Sequence, residues 1–351
     1  MRYFPPSAER GAQLRAAMAG SLANSVAPAI DELLGVAASD PLVGLVDAGF
    51  ASHVHYGAYF DLVLGSPLNE ALAPDVRLQT ARELVANVQA MTEGAEYGGP
   101  GTLCFVPGNP PPVSTLSADY YSETEIARLV RWWDIEPGNA MGMAGASAAQ
   151  CKEARDQIAK AYNVLRQAAP ELHAELLEVI TAFVIYVQDG TEDTGFGGAS
   201  AFGLWGAIAI NVTSLPNWLV CYQTIVHEAA HNLLFAIARE EPLLTDDPDR
   251  TYESPVREDA RPLDGIFHAA FVSVREALAL DKLLIWNDKT GSLLAEDVRF
   301  SEFLLDLSVR AFWECDETLR QRDTLTPLGD AILSECEDYA RANFALVEEN
   351  A

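Results

Sequence analysis

The chain has 351 residues, enough for one large domain or two smaller ones, and its 49% apolar and 21% charged content is that of a globular rather than a disordered protein. Its 51 acidic against 23 basic side chains give a formal charge of -28, which argues against any partner held through its phosphates, nucleic acid first among them. The opening "MRYFPPSAERGAQLRAAMAG" lacks the basic start, apolar core and cleavage site of a signal peptide, and no run reaches about 18 apolar residues, so a soluble cytoplasmic protein without a membrane partner is expected.

Amphipathic spacing predicts helices in "SAERGAQLRAAMAGSLANSVAPAIDELL" and "DVRLQTARELVANVQAMTEG", so residues 1-107 read as a helical N-terminal region. The Gly- and Pro-dense "YGGPGTLCFVPGNPPPVSTLSADYY" marks a boundary, with residues 108-118 as a Pro-rich connection and 119-351 as the larger domain. Helical patterns resume in "SETEIARLVRWW" and in the long "SAAQCKEARDQIAKAYNVLRQAAPELHAELLEVI". Two β-branched and aromatic runs, "FVIYVQDG" and "LWGAIAINV", flank the Gly-rich "TEDTGFGGASAFG" and suggest a small antiparallel sheet. The second run leads into "SLPNWLVCYQTIVHEAAHNLLFAIAREE", a predicted helix with Ser214 as its cap, Pro216 in its first turn and Pro242 beyond its end. About 20 aperiodic residues follow, long for a plain connection, before a helix with Pro262 in its first turn and two further helices over about 297-345. The expected fold is therefore mainly α with a small antiparallel β-sheet (α+β), built on a strand-then-helix core of the zincin kind. Five cysteines, odd in number and without CxxC spacing, read as reduced and mostly buried thiols.

Chemistry concentrates in His227-Glu228-x-x-His231. Histidines at i and i+4 share a helix face and can direct two imidazoles at one transition metal. A stable site needs a third donor, and a metzincin-type histidine within ten residues is absent. Glu253 lies in the irregular stretch and Glu276 late in the next helix; His268, the only histidine downstream of the motif, lies near that helix's start. An antiparallel return of the chain would bring His268 opposite the pair. His53 and His55 read as structural or surface residues, and His173 as a residue of a helix surface.

The segment "SPVREDARPLDGIFHAAFV" resembles the HExxH-motif 2-oxoglutarate-dependent peptide β-hydroxylases that modify ribosomally made peptides. Those enzymes carry Ser-Pro-Trp-Arg-x-Asp-Pro-Arg-Pro-Leu-x-Gly-x-x-His; here Arg257, Asp259, Arg261, Pro262, Leu263, Gly265 and His268 match, while Val256 and Ala260 depart. "APELHAELLEVI" and "GFGGASAFG" extend the likeness over roughly residues 120-290. The resemblance implies an iron(II) oxygenase that uses 2-oxoglutarate and O2 to hydroxylate a side-chain β-carbon of a peptide. Three donors on one side of iron leave positions for cosubstrate and O2, and His227, His231 and His268 could supply them. The far carboxylate of 2-oxoglutarate requires a cation, for which Arg257 or Arg261 is suited. Residues 119-351 would then be the catalytic domain, and the first 107 the place to recognise a leader-bearing precursor. Glu228 would support a ligand or metal-bound water. Two rival readings remain: a zinc peptidase with Glu228 as general base and a carboxylate such as Glu276 as third ligand, and a non-catalytic, metal-stabilised binding protein.

Overall fold

The apolar runs around 183 and 208 lie side by side at the centre of a five-stranded sheet. The computed structural model describes residues 2-35, 52-63, 73-92, 105, 107-133, 142-188 and 197-344. Strand β3 (Ala182–Gln188) has β1 (Val113–Thr115) on one side and β5 (Ala207–Asn211) on the other, both parallel to it. Strand β2 (Met143–Gly145) pairs antiparallel with the end of β3, and β4 (Gly198–Ala199) pairs antiparallel with β5 at the opposite edge. The sheet is thus mixed with a parallel centre, a correction to the antiparallel sheet expected from sequence. Its cause is burial on both faces: Phe183, Ile208 and Ile210 join the main helical core, whereas Val184, Tyr186, Ala207 and Ala209 pack with Leu129, Trp132 and Trp133. Continuous apolar runs, rather than alternating ones, are what such strands require. The Pro-rich 108-118 connection also supplies β1, whose Ser114 is fully buried.

Among the described residues, ten α-helices surround this sheet. They are α1 (Ala8–Leu34), α2 (His53–Val63), α3 (Pro74–Thr92), α4 (Glu123–Trp133), α5 (Ala148–Ala168), α6 (Pro170–Val179), α7 (Trp218–Ile237), α8 (Leu263–Thr290), α9 (Ala295–Arg320) and α10 (Pro327–Asn343). The long helical run divides into α5 and α6 because Pro170 cannot continue a helix, and it opens α6 instead. His53 and His55 lie on α2 and are buried, and half-buried His173 packs edge-on against Tyr162. Cys151, Cys221, Cys315 and Cys336 are buried and unpaired with one another; Cys104 lies outside the described residues. No helix among the described residues is long and apolar enough to cross a membrane.

The N-terminal helix shares the core of the rest. Phe4, Leu14 and Met18 pack in the same cluster as Leu172 of α6 and Phe271 of α8. The tie is ionic as well: buried Glu175 of α6 accepts from Arg10 of α1 and Arg275 of α8, and from the Ser7 backbone N–H at 2.9 Å. Arg275 also donates to the Phe4 carbonyl at 2.7 Å. Two guanidinium groups thus share one carboxylate that has no access to water, fixing α1 against the helices that carry the candidate site.

Candidate functional site

Helix α7 begins where the Asn217 side chain accepts from the backbone N–H groups of Leu219 and Val220, each at 3.0 Å. Asn217, rather than Ser214, is therefore the cap; Ser214 closes a short 3-10 turn before it. Apolar residues surround α7 on most sides, as expected of a helix placed inside the protein. Asn232, one turn beyond Glu228 and fully buried, fixes the helix to the sheet: its Oδ1 accepts from Gly206 N–H at 2.7 Å and its carbonyl from Trp205 Nε1 at 2.8 Å.

Helix α8 runs back along α7, as successive contacts show: Tyr222 donates to the Ala279 carbonyl at 2.8 Å, His227 meets Glu276, and His231 meets His268. His227 Nε2 and His231 Nε2 face each other at 3.2 Å. Two donors each roughly 2.1 Å from a single ion, at an angle of about 100°, stand this far apart. The far nitrogens of both rings are held from α8: His227 Nδ1 by Glu276 Oε1 at 2.8 Å, and His231 Nδ1 by His268 Nδ1 at 2.9 Å. The pair thus fits a divalent metal by spacing and by donor type. His268 stands behind His231, stacked on it at 5.2 Å between ring centroids, with its Nε2 3.9 Å from Asp264. Among the described residues, no three His, Cys, Asp or Glu side chains converge on one metal position.

Charge follows these contacts. Burial opposes a proton on His227, but the hydrogen bond to Glu276 and the charges of Glu276 and Glu228 outweigh it and push the imidazole up to about 9. Burial, reinforced by His227 and His268, holds His231 well below its ordinary value and therefore neutral, the form that ligates. Burial also raises Glu228, against the charge of His227 and a 2.7 Å hydrogen bond from Ser200 Oγ to its Oε2.

A cavity of about 730 Å³ opens over this helix, and His227, Glu228 and His231 line it together with Arg257 and Arg261. The arginines arrive on the irregular segment, which is shaped into a short hairpin by β6 (Thr251–Tyr252) pairing with β7 (Arg261–Pro262). Arg257 Nε and Arg261 Nε donate to opposite oxygens of Asp259 at 3.1 and 3.0 Å, so one acid sets the spacing of two cations. Burial pushes Asp259 up, but a backbone hydrogen bond and the two arginines together outweigh it and hold the carboxyl below the ordinary carboxylate range. Val256, where the resembled family has tryptophan, is exposed on the cavity wall, so that departure alters the cavity rather than the core.

Gly197 and Gly198 also line the cavity. A Cβ on Gly198 would lie 2.7 Å from Thr224 and 3.1 Å from Glu228, so the backbone approaches α7 more closely than any side chain would allow. Sequence reasoning did not identify Ser200, Asn232 or Ser308 as supports; hydroxyl and amide residues carry no recognisable spacing, and their partners lie far away in the chain. Glu253 does not line the cavity, and Glu276 reaches His227 at the ring nitrogen remote from His231. No protein-family model matches the chain, and no curated protein matches it.

Proposed function

We propose that the protein is an iron(II)- and 2-oxoglutarate-dependent oxygenase that hydroxylates a β-carbon of a ribosomally made peptide. The observation that carries this reading is the placement of Arg257 and Arg261 on the wall of the cavity that holds the facing imidazoles of His227 and His231. A metal pair alone suits many reactions, but a metal pair facing two guanidinium groups suits a dianionic keto-acid that chelates with one end and needs a cation at the other. His227 and His231 would hold iron; His268, which meets His231 at Nδ1, the nitrogen turned away from His227, would have to swing its ring toward the pair to act as third donor. When bound, iron with 2-oxoglutarate and O2 supplies the oxidising equivalents for C–H hydroxylation.

The chain's own residues have separable tasks in this reading. Arg257 and Arg261 orient the cosubstrate, and Asp259 keeps their side chains apart. Glu228, anchored by Ser200, holds a proton or water beside the metal without acting as a base on the peptide. The outer edge of β4, with Gly197 and Gly198 on the cavity wall, offers main-chain groups against which an extended peptide can lie. Leader recognition by residues 1-107 and a cytoplasmic setting belong to the same proposal.

A zinc peptidase with Glu228 as base is the second reading, favoured by the carboxylate's presence in the cavity and its raised affinity for a proton. Glu276 is engaged at His227 Nδ1 and by Ser308, which weighs against it as that peptidase's third ligand. Incubating the iron(II)-loaded protein with 2-oxoglutarate, O2 and a candidate precursor peptide tests the proposal. Succinate release with a gain of one oxygen in the peptide supports it; a shortened peptide independent of 2-oxoglutarate establishes the peptidase. Glu228→Gln should retain succinate formation, and complete inactivity with metal content and fold intact would remove the supporting role assigned here.

A further inference from the structure

Glu276 of α8 is held at both oxygens. Oε1 meets His227 Nδ1 at 2.8 Å, and Oε2 accepts from Ser308 Oγ of α9 at 2.9 Å. Glu276 and Ser308 are both buried, at 7% and 3% exposure. A buried carboxylate has strong reason to keep its hydrogen bonds, because losing one leaves charge without compensation. The contact also has a direction: the carboxylate accepts from Nδ1–H, so Nε2, the nitrogen facing His231, is the one left to exchange its proton for a metal.

We infer that Glu276 and Ser308 form a two-helix positioning pair that fixes the tautomer and tilt of His227 for metal binding. This rests on the metal reading of the His227–His231 pair but not on iron, 2-oxoglutarate or hydroxylation. It assigns Glu276 a place behind a ligand rather than on the metal, and it gives α9 a part in the site. Because a carboxylate behind an imidazole also raises that ring's basicity, its removal weakens metal binding without removing any donor atom.

The test uses zinc alone as probe, with affinity measured by chelator competition on the full chain. Glu276→Leu should weaken zinc binding by about 10 to 100-fold. Glu276→Gln, whose carbonyl can still accept from Nδ1–H, should recover most of that loss, and Ser308→Ala, remote from the metal ligands, should show a smaller one. In the zinc-loaded protein, 15N-resolved NMR should detect a slowly exchanging His227 Nδ1–H in the wild type and Glu276→Gln, and lose it in Glu276→Leu. Wild-type zinc binding with unchanged affinity and an unchanged Nδ1–H signal in Glu276→Leu would overturn the pair alone. Glu276→Gln as damaging as Glu276→Leu would make Glu276 a direct ligand and also overturn it. A wild type that binds no zinc would remove the metal reading together with this one.

Discussion

His227 Nε2 and His231 Nε2 lie 3.2 Å apart, each with its other ring nitrogen engaged by a residue of α8. Two imidazoles that touch edge to edge, one of them 42% exposed toward an open cavity, form a poor structural contact. They form a good half of a metal site. His268, proposed as the third donor, now meets His231 from behind at Nδ1, and its removal separates a ligand from a supporting role. A ligand histidine changed to alanine should cost more than about 100-fold in iron(II) affinity, beyond the range for a residue that only supports a ligand. Competition binding on His268→Ala against the wild type decides: normal iron binding would remove His268 from the proposed set.

Arg257 and Arg261 share Asp259, so the two guanidinium groups should act on the cosubstrate rather than on the metal. A lost charge-assisted contact is worth about 1.5 to 3 kcal/mol, so replacing the arginine that holds the keto-acid by leucine should weaken 2-oxoglutarate about 10 to 100-fold. Iron affinity should stay unchanged. Calorimetry on both single variants identifies the arginine concerned, and wild-type 2-oxoglutarate affinity in both variants would contradict the assignment.

Glu175 joins Arg10 and Arg275 inside the protein, where neither arginine has another carboxylate in hydrogen-bond contact among the described residues. Glu175→Gln leaves two buried cations facing a neutral amide and should cost about 3 to 5 kcal/mol of stability. Chemical denaturation checks this, and a loss below about 1 kcal/mol would show that α1 is held by apolar packing alone.

His53 and His55 on α2 supply a pH dependence on a different helix from the candidate metal pair. Burial, joined for His53 by the charge of His55, holds them down to about 3 and about 4 in the folded protein, against an ordinary value of 6.5. Below pH 6.5 the unfolded chain therefore binds protons that the folded chain refuses. Stability is full above that pH and falls progressively toward pH 4 and 3, with about 2 kcal/mol lost per histidine by pH 5. His53→Gln should remove about half of this dependence between pH 7 and 5 in denaturation measurements; an unchanged slope would place the acid sensitivity elsewhere.

Much of this architecture is legible in the sequence where signals are local. The periodicity of α1, α4 and α7 follows from nearby residues, although the cap of α7 is Asn217 rather than the expected Ser214, and i, i+4 spacing puts His227 and His231 on one face. The direction of the sheet is not local. "FVIYVQ" and "AIAIN" were expected as antiparallel strands, yet their unbroken apolar character already reflected two buried faces. Glu276 reads from sequence as a candidate third ligand of a peptidase, because its contact with Ser308 comes from another helix. Likewise, nothing in the spacing of Asn232 announces that it fastens α7 to Trp205 and Gly206.

The central claim is that one cavity holds a metal and a keto-acid together, and anaerobic absorption spectroscopy tests it most directly. Adding 2-oxoglutarate to the iron(II)-loaded protein without oxygen should produce a visible metal-to-ligand charge-transfer band that saturates with the cosubstrate, is lost in His227→Ala, and requires a higher 2-oxoglutarate concentration in the Arg257 or Arg261 variant. Iron binding with no such band at saturating 2-oxoglutarate would contradict the account.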